Sequence, residues 1–333
     1  MFHSMQSSAW PRLARYGALA AALCGLPSAT WAQWKPERNI EFVIGTGPGG
    51  VFDSTARRVQ RIWKEAGIVN ANTLVMNKPG AGQSLALAYL NQKGGDGHYL
   101  SMVSGIIYAN HLTGRTPFAY TDFTPIAILF NEATVMAVNA SSSMQSGGDL
   151  LVRLRKDPME PSFAVGSSLG SATHMAAALV VKAVGGDVRE MKAVVLASSG
   201  ESVIQVLGRH IDVVTSAATL VLPHAQAGKL RIIAVATPQR VKGLPDVPTW
   251  KEQGVDATVP NWRGVIGPKG MSAEQVAYWE QVFARTVKTA EWQSEVAKNL
   301  WEDTFMGSRD AKRFLDADYV FNKALLTELG LVK

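Results

Sequence analysis

Glycines between residues 45 and 50 follow a short apolar segment, Ile40–Ile44, and precede a helical pattern that opens near Asp53 and Ser54. A strand that ends in glycines and leads into a helix N-terminus forms a pocket for an anion. Its backbone N–H groups point outward, and the helix dipole adds partial positive charge. Because no lysine follows the glycines, the P-loop pattern is absent. These residues predict a site that binds an acid without phosphate chemistry.

The same glycines, Gly45, Gly47 and Gly50, match the G-x-G-x-x-G pattern of dinucleotide-binding folds. Such a fold needs an acidic residue after the second strand to bind the ribose. Here the second predicted strand ends at Asn77 and is followed by Lys78. We therefore favour a simple anion pocket over a dinucleotide site, and we predict no cofactor.

Residues 166–170 match G-x-S-x-G, the nucleophile elbow of serine hydrolases, with Ser168 as the nucleophile. Asp212 and His224 follow in the order that a catalytic triad requires, but no H-G-G-G segment supplies an oxyanion hole. A serine in such a turn can equally donate its hydroxyl to a carboxylate. We predict ligand binding with no catalytic residue, and a hydrolase is the alternative.

Three further side chains have two interpretations each. His174 lies in the first turn of the helix after the serine-rich loop, where it either faces a ligand or has a structural role. Arg263 either pairs with a ligand carboxylate or forms a surface ion pair. Asp53 either caps a helix or orders N–H groups beside the anion pocket. The histidines show no metal-ligand spacing, so we predict no metal site.

The first 32 residues resemble a secretory signal peptide, with Arg12 and Arg15 before an apolar run at 18–26 and cleavage predicted after Ala32. The alternative is a disordered N-terminus. Cleavage would remove Cys24, the only cysteine, and would lower the net charge from +6 to +4, because two arginines and no acids are lost. These features predict an exported, periplasmic protein without disulfides. Basic residues are dispersed, so we predict no nucleic-acid partner.

Strand-like and helix-like segments alternate along the mature chain, which predicts an α/β fold with mainly parallel sheets. Asp149 is predicted to cap one helix, and Ser272 with Gln275 form a capping box for another. A strand, a loop of Gly and Ser or Thr, and a helix recur in both halves. Because ligands bind at the carboxyl ends of strands in such sheets, we expect two lobes that close on a ligand by hinge motion.

We predict a signal peptide at 1–32, a discontinuous first domain at 33–136 and 240–333, and a second domain at 137–239. Several segments resemble the Bug or TctC-like family, the solute-binding proteins of tripartite tricarboxylate transporters. The matching segments cover nearly the whole mature chain in the expected order: Pro48-Gly49-Gly50 with Asp53, residues 77–82, 95–100 and 122–127, Gly166-Ser167-Ser168 with Thr173-His174, and residues 227–231, 244–249, 253–256 and 261–265.

This resemblance implies a two-lobed type II periplasmic-binding-protein (Venus-flytrap) fold and capture of a small carboxylate, without catalysis. The implied partners are the ligand and the membrane subunits of the transporter, and the receptor is a monomer. By position, the implied ligand-binding residues are Pro48, Gly49, Gly50, Val51, Phe52, Ser104, Gly105, Ser167, Ser168, Ser171, Thr173, Ser198, Ser199 and Ser216, to which we add Asp53, His174 and Arg263. The alternative function is a ligand sensor that signals to a histidine kinase.

Overall fold

The computed structural model describes Met1 and residues 34–333, apart from Ser167 and Ala197. The predicted signal peptide and its cleavage site therefore lie outside the described residues, except for Met1. Ser167, a predicted ligand-binding residue, lies outside them as well. Residues 35–333 form one compact unit.

The strands form two sheets. Strands of the first sheet are β1 (Ile40–Ile44), β2 (Thr73–Asn77), β3 (Tyr99–Val103), β4 (Phe123–Glu132), β10 (Trp262–Pro268), β11 (Trp301–Glu302) and β12 (Met306–Gly307). Their order is β11-β4-β10-β3-β1-β2, and β12 pairs with β4. Strands of the second sheet are β5 (Thr134–Asn139), β6 (Phe163–Gly166), β7 (Ala193–Leu196), β8 (Val213–Ala217) and β9 (Leu230–Val235), in the order β7-β6-β8-β5-β9.

Helices connect most of these strands. Their bounds are α1 (Val51–Glu65), α2 (Ser84–Asn91), α3 (Ile106–Leu112), α4 (Gly147–Lys156), α5 (Ala172–Ala183), α6 (Ser199–Leu207), α7 (Ala218–Gln226), α8 (Ala273–Thr286), α9 (Ala290–Lys298) and α10 (Ser308–Glu328). The α/β fold class is thus confirmed. No helix in the described part of the chain has both the length and the apolar character needed to cross a bilayer.

The prediction of mainly parallel sheets is wrong, because six of the ten strand pairings among the described residues are antiparallel. β1, β2 and β3 are parallel to one another, as are β6, β7 and β8. β10 lies antiparallel between β3 and β4, and β5 lies antiparallel between β8 and β9. In sequence, Trp262 and Arg263 follow Pro260-Asn261, a pattern that indicates a connecting segment between lobes rather than a strand.

Helix caps were predicted with mixed success. The Ser272 and Gln275 capping box is confirmed at the start of α8. Asp149 is not the cap of α4. The cap is Ser146, whose hydroxyl accepts the Asp149 N–H, while the Asp149 carboxylate accepts the Ser146 N–H. Asp149 is therefore the third residue of a capping box, a position that an acid also favours.

Aromatic packing fixes the helix that follows the glycine-rich turn. Trp63 of α1 is 1% exposed and stacks on Phe42 of β1 and on Trp279 of α8, with ring centroids 6.2 and 5.4 Å apart. Its indole N–H donates to the Thr286 hydroxyl at 2.8 Å, so its polar atom is satisfied. Burial of rings of this size contributes several kcal/mol, and it fixes α1 against β1 and α8.

The chain passes from the first sheet to the second through a single residue, Ala133, which separates β4 from β5. It returns in the segment between β9 and β10. The Ala236 N–H donates to the Thr134 carbonyl at 2.8 Å, so the return begins beside the first crossing. The domain limits given above remain a prediction.

Candidate functional site

Strand register brings the ends of both sheets to the crossing at Ala133. β4 ends at Glu132, and the antiparallel β10 begins opposite it, with Trp262 facing Asn131. β10 also pairs with the end of β3, so β1, β2 and β3 have their carboxyl ends at this edge. In the second sheet, Thr134 at the start of β5 faces Ala217 at the end of β8. The carboxyl ends of the parallel strands in both sheets therefore meet at one place.

Charged side chains hold the glycine-rich turn of the first sheet. The Asp53 carboxylate accepts the Gly49 N–H at 2.9 Å and the Arg57 Nε–H at 3.0 Å. Burial of this carboxylate would raise its pKa. The hydrogen bonds from Arg57 and Gly49 outweigh this effect, so the pKa of Asp53 lies below its usual value. Gly49 has φ of +81°, a conformation that favours glycine.

The turn after β2 is tied to the same network. Asn77 accepts a hydrogen bond from Arg57 at 3.2 Å and donates to the Thr46 carbonyl at 3.0 Å. Asp53 does not cap α1, whose N-cap is Gly50. Instead it orders the turn, as the second interpretation predicted. Because the Gly49 amide is engaged by Asp53, the amides left for a ligand are those of the first helical turn, which have no intrahelical acceptor.

Neutral groups hold the serine-rich turn of the second sheet. Ser171 caps α5 through its hydroxyl, which lies 3.0 Å from the Thr173 hydroxyl. Gly170 donates its N–H to His174 Nδ1 at 3.1 Å. Burial lowers the pKa of His174 to about 4, so the ring is neutral at pH 7. The structural interpretation of His174 thus has direct support, because this ring holds the turn through an uncharged hydrogen bond.

The turns after β6 and β7 lie against each other. A Cβ added to Gly166 would be 2.4 Å from the Ser199 hydroxyl and 2.7 Å from the Ser199 backbone nitrogen, so only glycine fits there. Ser198 caps α6 by accepting the Glu201 N–H. Nearby, the hydroxyls of Ser168 and Ser216 are buried and have no hydrogen-bond partner among the described residues. Buried hydroxyls normally have partners, so these two, like the adjacent Thr215 hydroxyl, are candidate contacts for a bound molecule.

The turn at Ser104 and Gly105 adjoins a buried acid that sequence analysis missed. The position of a Cβ on Gly105 lies 4.0 Å from Asp318 Oδ2, and this oxygen accepts the Trp262 indole N–H at 2.7 Å. Burial raises the pKa of Asp318 to about 6, although the Trp262 hydrogen bond opposes the shift. The sequence did contain a signal for this buried acid, because Asp318 lies on the apolar stripe of α10 between Leu315 and Leu325.

Arg263 is also at the crossing, but it is already paired. Its guanidinium donates to the carboxylate of Glu132 and, through Nη1, to the carbonyl oxygens of Asn261 and Trp262 at 3.0 and 2.9 Å. The guanidinium carbon lies 5.7 Å from the centre of the Phe52 ring. The ion pair is buried, with the Arg263 side chain 12% exposed, and so differs from the surface pair considered above.

Comparison with known proteins gives the family. The model of the tripartite tricarboxylate transporter family receptor, TctC, matches residues 56–331. The chain belongs to the TctC receptor family. A UPF0065 protein encoded in the tcbD-tcbE intergenic region of Pseudomonas sp. is 30% identical over 277 residues, covering 80% of this chain and 81% of that protein.

Solved structures agree with the TctC assignment. A TctC solute-binding protein from Polaromonas, solved without ligand, has a TM-score of 0.74 and 26% identity, covering 88% of this chain and 99% of the other. An R. palustris protein solved with adipate has a TM-score of 0.77 and 24% identity, covering 89% and 99%. The two-lobed fold of periplasmic solute-binding proteins is therefore shared.

One member of the triad considered for the hydrolase alternative is engaged elsewhere in this TctC receptor. The Asp212 carboxylate accepts hydrogen bonds from the Ser162 N–H and hydroxyl at 2.9 and 2.6 Å. The Ser168 hydroxyl has no partner in the part of the chain that the structure describes, whereas a triad serine is hydrogen-bonded to its base. No group of His, Cys, Asp or Glu within the described residues is arranged to hold a metal ion.

Proposed function

We propose that this TctC receptor captures a small organic acid in the periplasm and delivers it to a transporter of the tripartite tricarboxylate type. One observation carries the proposal. At the crossing, the helix N-terminus at Val51 and Phe52 lies at the edge of one sheet. The hydroxyls of Ser168 and Ser216, which have no partner among the described residues, lie at the edge of the other. Together they form two sets of neutral donors for one anionic ligand.

In this proposal a carboxylate docks on the turn at residues 48–52, where the amides of the first turn of α1 and the helix dipole favour negative charge. The other polar end of the ligand meets Ser168, Thr173 and Ser199. Ser171 and Ser198 act indirectly, because their hydroxyls cap helices. His174 and Asp53 likewise act by holding the two turns.

Partnership and location follow from the family and from the sequence. The secretory pattern of residues 1–32 supports export to the periplasm, and membership of the TctC family supports a membrane transporter as the partner. The R. palustris neighbour was solved with adipate, a small dicarboxylate, which agrees with a carboxylate ligand here. We propose that the receptor acts as a monomer and needs no cofactor.

A binding screen tests this function. The full chain, exported and purified from the periplasm, is screened by thermal shift against mono-, di- and tricarboxylates and aromatic acids, followed by calorimetry on the hits. A ligand that binds the native state must raise the melting temperature. If no acid in the panel shifts a folded, ligand-free sample, the carboxylate proposal is wrong.

A double variant tests the site. Ser168→Ala with Thr173→Ala removes two hydroxyls from the serine-rich turn, and we expect the affinity to fall by roughly tenfold or more with little change in melting temperature. The matched control is Ser294→Ala with Thr327→Ala, two exposed hydroxyls on α9 and α10. Unchanged affinity in the first double variant would contradict the assignment of this turn.

A further inference from the structure

The turns at the crossing carry few basic side chains, and each of these is already engaged. Arg57 pairs with Asp53 at 3.0 Å, and Arg263 pairs with Glu132. The Lys78 ammonium lies over the ring of Tyr89, 4.2 Å from its centre. The proposed ligand site is therefore lined by neutral donors and by two ion pairs whose charges cancel, while the Lys78 charge is directed to the Tyr89 ring.

The pair of Glu132 and Arg263 is the buried member of this set. The Glu132 side chain is 4% exposed, and its backbone N–H donates to the Asn261 carbonyl at 3.0 Å. Arg263 donates to the Asn261 side-chain oxygen at 2.8 Å as well. These bonds join the end of β4 to the start of β10, directly before the chain enters the second sheet. The pair is thus a fixed part of the surface beside Phe52, which we call the floor of the proposed site.

A buried charge needs a partner or it loses its hydration without compensation. One carboxylate of a ligand can be held by the amides and the dipole of α1. A second carboxylate would find at this floor only a guanidinium whose charge Glu132 already neutralises, although the Arg263 Nε–H itself has no partner among the described residues. It would also lie near the negative charge of Glu132. The hydroxyls of Ser168 and Ser216 both donate and accept, so they suit an amide or a hydroxyl better than a second anion.

We infer that Glu132 determines ligand charge by neutralising Arg263, so that this receptor prefers a monocarboxylate whose other end is polar and uncharged. This inference rests on the proposed function, since it specifies the ligand of the same site. It differs from the adipate seen in the R. palustris neighbour, which carries two carboxylates. Glu132 acts here through Arg263 and is a specificity-determining residue rather than a ligand contact.

The test compares ligands that differ only in charge. Calorimetry at pH 7.5 measures the affinity of the full chain for glutarate and its monoamide, and for adipate and its monoamide. We expect each monoamide to bind about tenfold more tightly than its diacid, because only the diacid brings an uncompensated buried charge. In the Glu132→Gln variant Arg263 keeps a hydrogen-bond acceptor but gains a free charge, and the preference should shift by about tenfold or more toward the diacid.

Two further variants separate charge from damage to the fold. Glu132→Gln combined with Arg263→Gln removes both charges, and we expect the preference of the unmodified chain. Glu302→Gln removes a neighbouring acid that accepts from Asn131 at 2.6 Å but does not pair with Arg263, and we expect no shift. Circular dichroism and melting temperature confirm that each variant is folded.

Diacids that bind the unmodified chain as tightly as their monoamides would overturn this inference alone. An unchanged preference in a folded Glu132→Gln variant would overturn the role of Glu132. If no acid or amide binds, the proposed function fails, and this inference fails with it.

Discussion

The turn after β1 is held by charges, whereas the turn after β6 is held by neutral groups and close packing. In the first, Asp53 binds the Gly49 amide and Arg57. In the second, the uncharged His174 ring binds the Gly170 amide. The two turns share a backbone plan of strand, small residues and helix, yet different forces keep them in place. The comparison shows that similar sequence patterns can conceal different sensitivities to volume and to pH.

The two turns also differ in packing, but only at particular glycines, since a Cβ on Gly45 of the first turn would lie 2.7 Å from Gln83 Cβ. A Cβ added to Gly47 would meet no atom within 4 Å, so the first turn is open on that side. A Cβ on Gly170 would approach Leu326 of α10 and Ala109 of α3 to 2.9 and 3.0 Å. The second turn therefore packs against helices that belong to the first sheet. Gly170 in the second turn therefore tolerates an added side chain less well than Gly47 in the first.

The largest expected effect comes from adding one methyl group to each turn. Gly166→Ala should destabilise the fold by about 3 kcal/mol, because the new Cβ would collide with the Ser199 backbone. Gly47→Ala should change the free energy of unfolding by less than about 0.5 kcal/mol. Urea unfolding of both variants measures the difference. Equal stabilities would show that the packing contrast between the turns is not real.

A second contrast concerns pH and compares His174 with Asp318. The pKa of His174 is lowered to about 4, so as the pH falls from 6.5 to 4 the unfolded chain binds a proton that the folded chain excludes. Stability then decreases by about 3 kcal/mol. The pKa of Asp318 is raised to about 6, so as the pH rises from 3.8 to 6 the unfolded chain releases a proton that the folded chain retains. Stability then decreases by a similar amount, about 3 kcal/mol.

These two contributions oppose each other between about pH 4 and 6. The His174→Asn variant keeps an acceptor for Gly170. We expect it to remove the loss of stability that accompanies acidification and to reveal the loss of stability that accompanies rising pH. We expect Asp318→Asn to do the reverse. Unfolding free energies at half-unit steps from pH 4 to 7 measure both slopes. Parallel curves for the two variants and the unmodified chain would refute the assignment.

Smaller effects should follow when each turn loses one hydrogen-bond acceptor. Asp53→Asn removes a charge-assisted acceptor and should cost about 2 kcal/mol. Ser171→Ala removes a neutral helix cap and should cost about 1 kcal/mol. Thermal unfolding at pH 7, in low and high salt, distinguishes the stability costs of the two variants. The first cost should shrink with salt because it includes an ion pair with the partly exposed Arg57, and the second should not. A stability cost of Asp53→Asn that does not change with salt would contradict the charged character of the first turn.

Sequence reasoning succeeded where local patterns determine the structure. The bounds of β1 and the end of β2 were predicted correctly, because each segment is largely apolar and is followed within two residues by glycine or proline. The capping box of Ser272 follows from a four-residue signature. Such features depend on neighbours in the chain, and one sequence contains all the information needed to see them.

The features that were missed depend on contacts between distant residues. The partner of Arg263 is Glu132, which lies 131 residues earlier and meets it only because β10 inserts between β3 and β4. Asp318 reaches the Gly105 turn only through the packing of α10. The sequence could suggest that Arg263 carries useful charge, but not that the charge is already neutralised. The ligand-binding role of each predicted residue still awaits the variants above.

The single residue between β4 and β5 also limits how this receptor can diverge. Side chains alternate between the two faces of a strand, so an insertion at Ala133 would reverse the faces of β5 and disrupt the second sheet. Substitutions in the turns after β1, β3, β6 and β8 leave that alignment intact. A new ligand preference can therefore be introduced by exchanging turn residues, whereas the length of the crossing has to be kept.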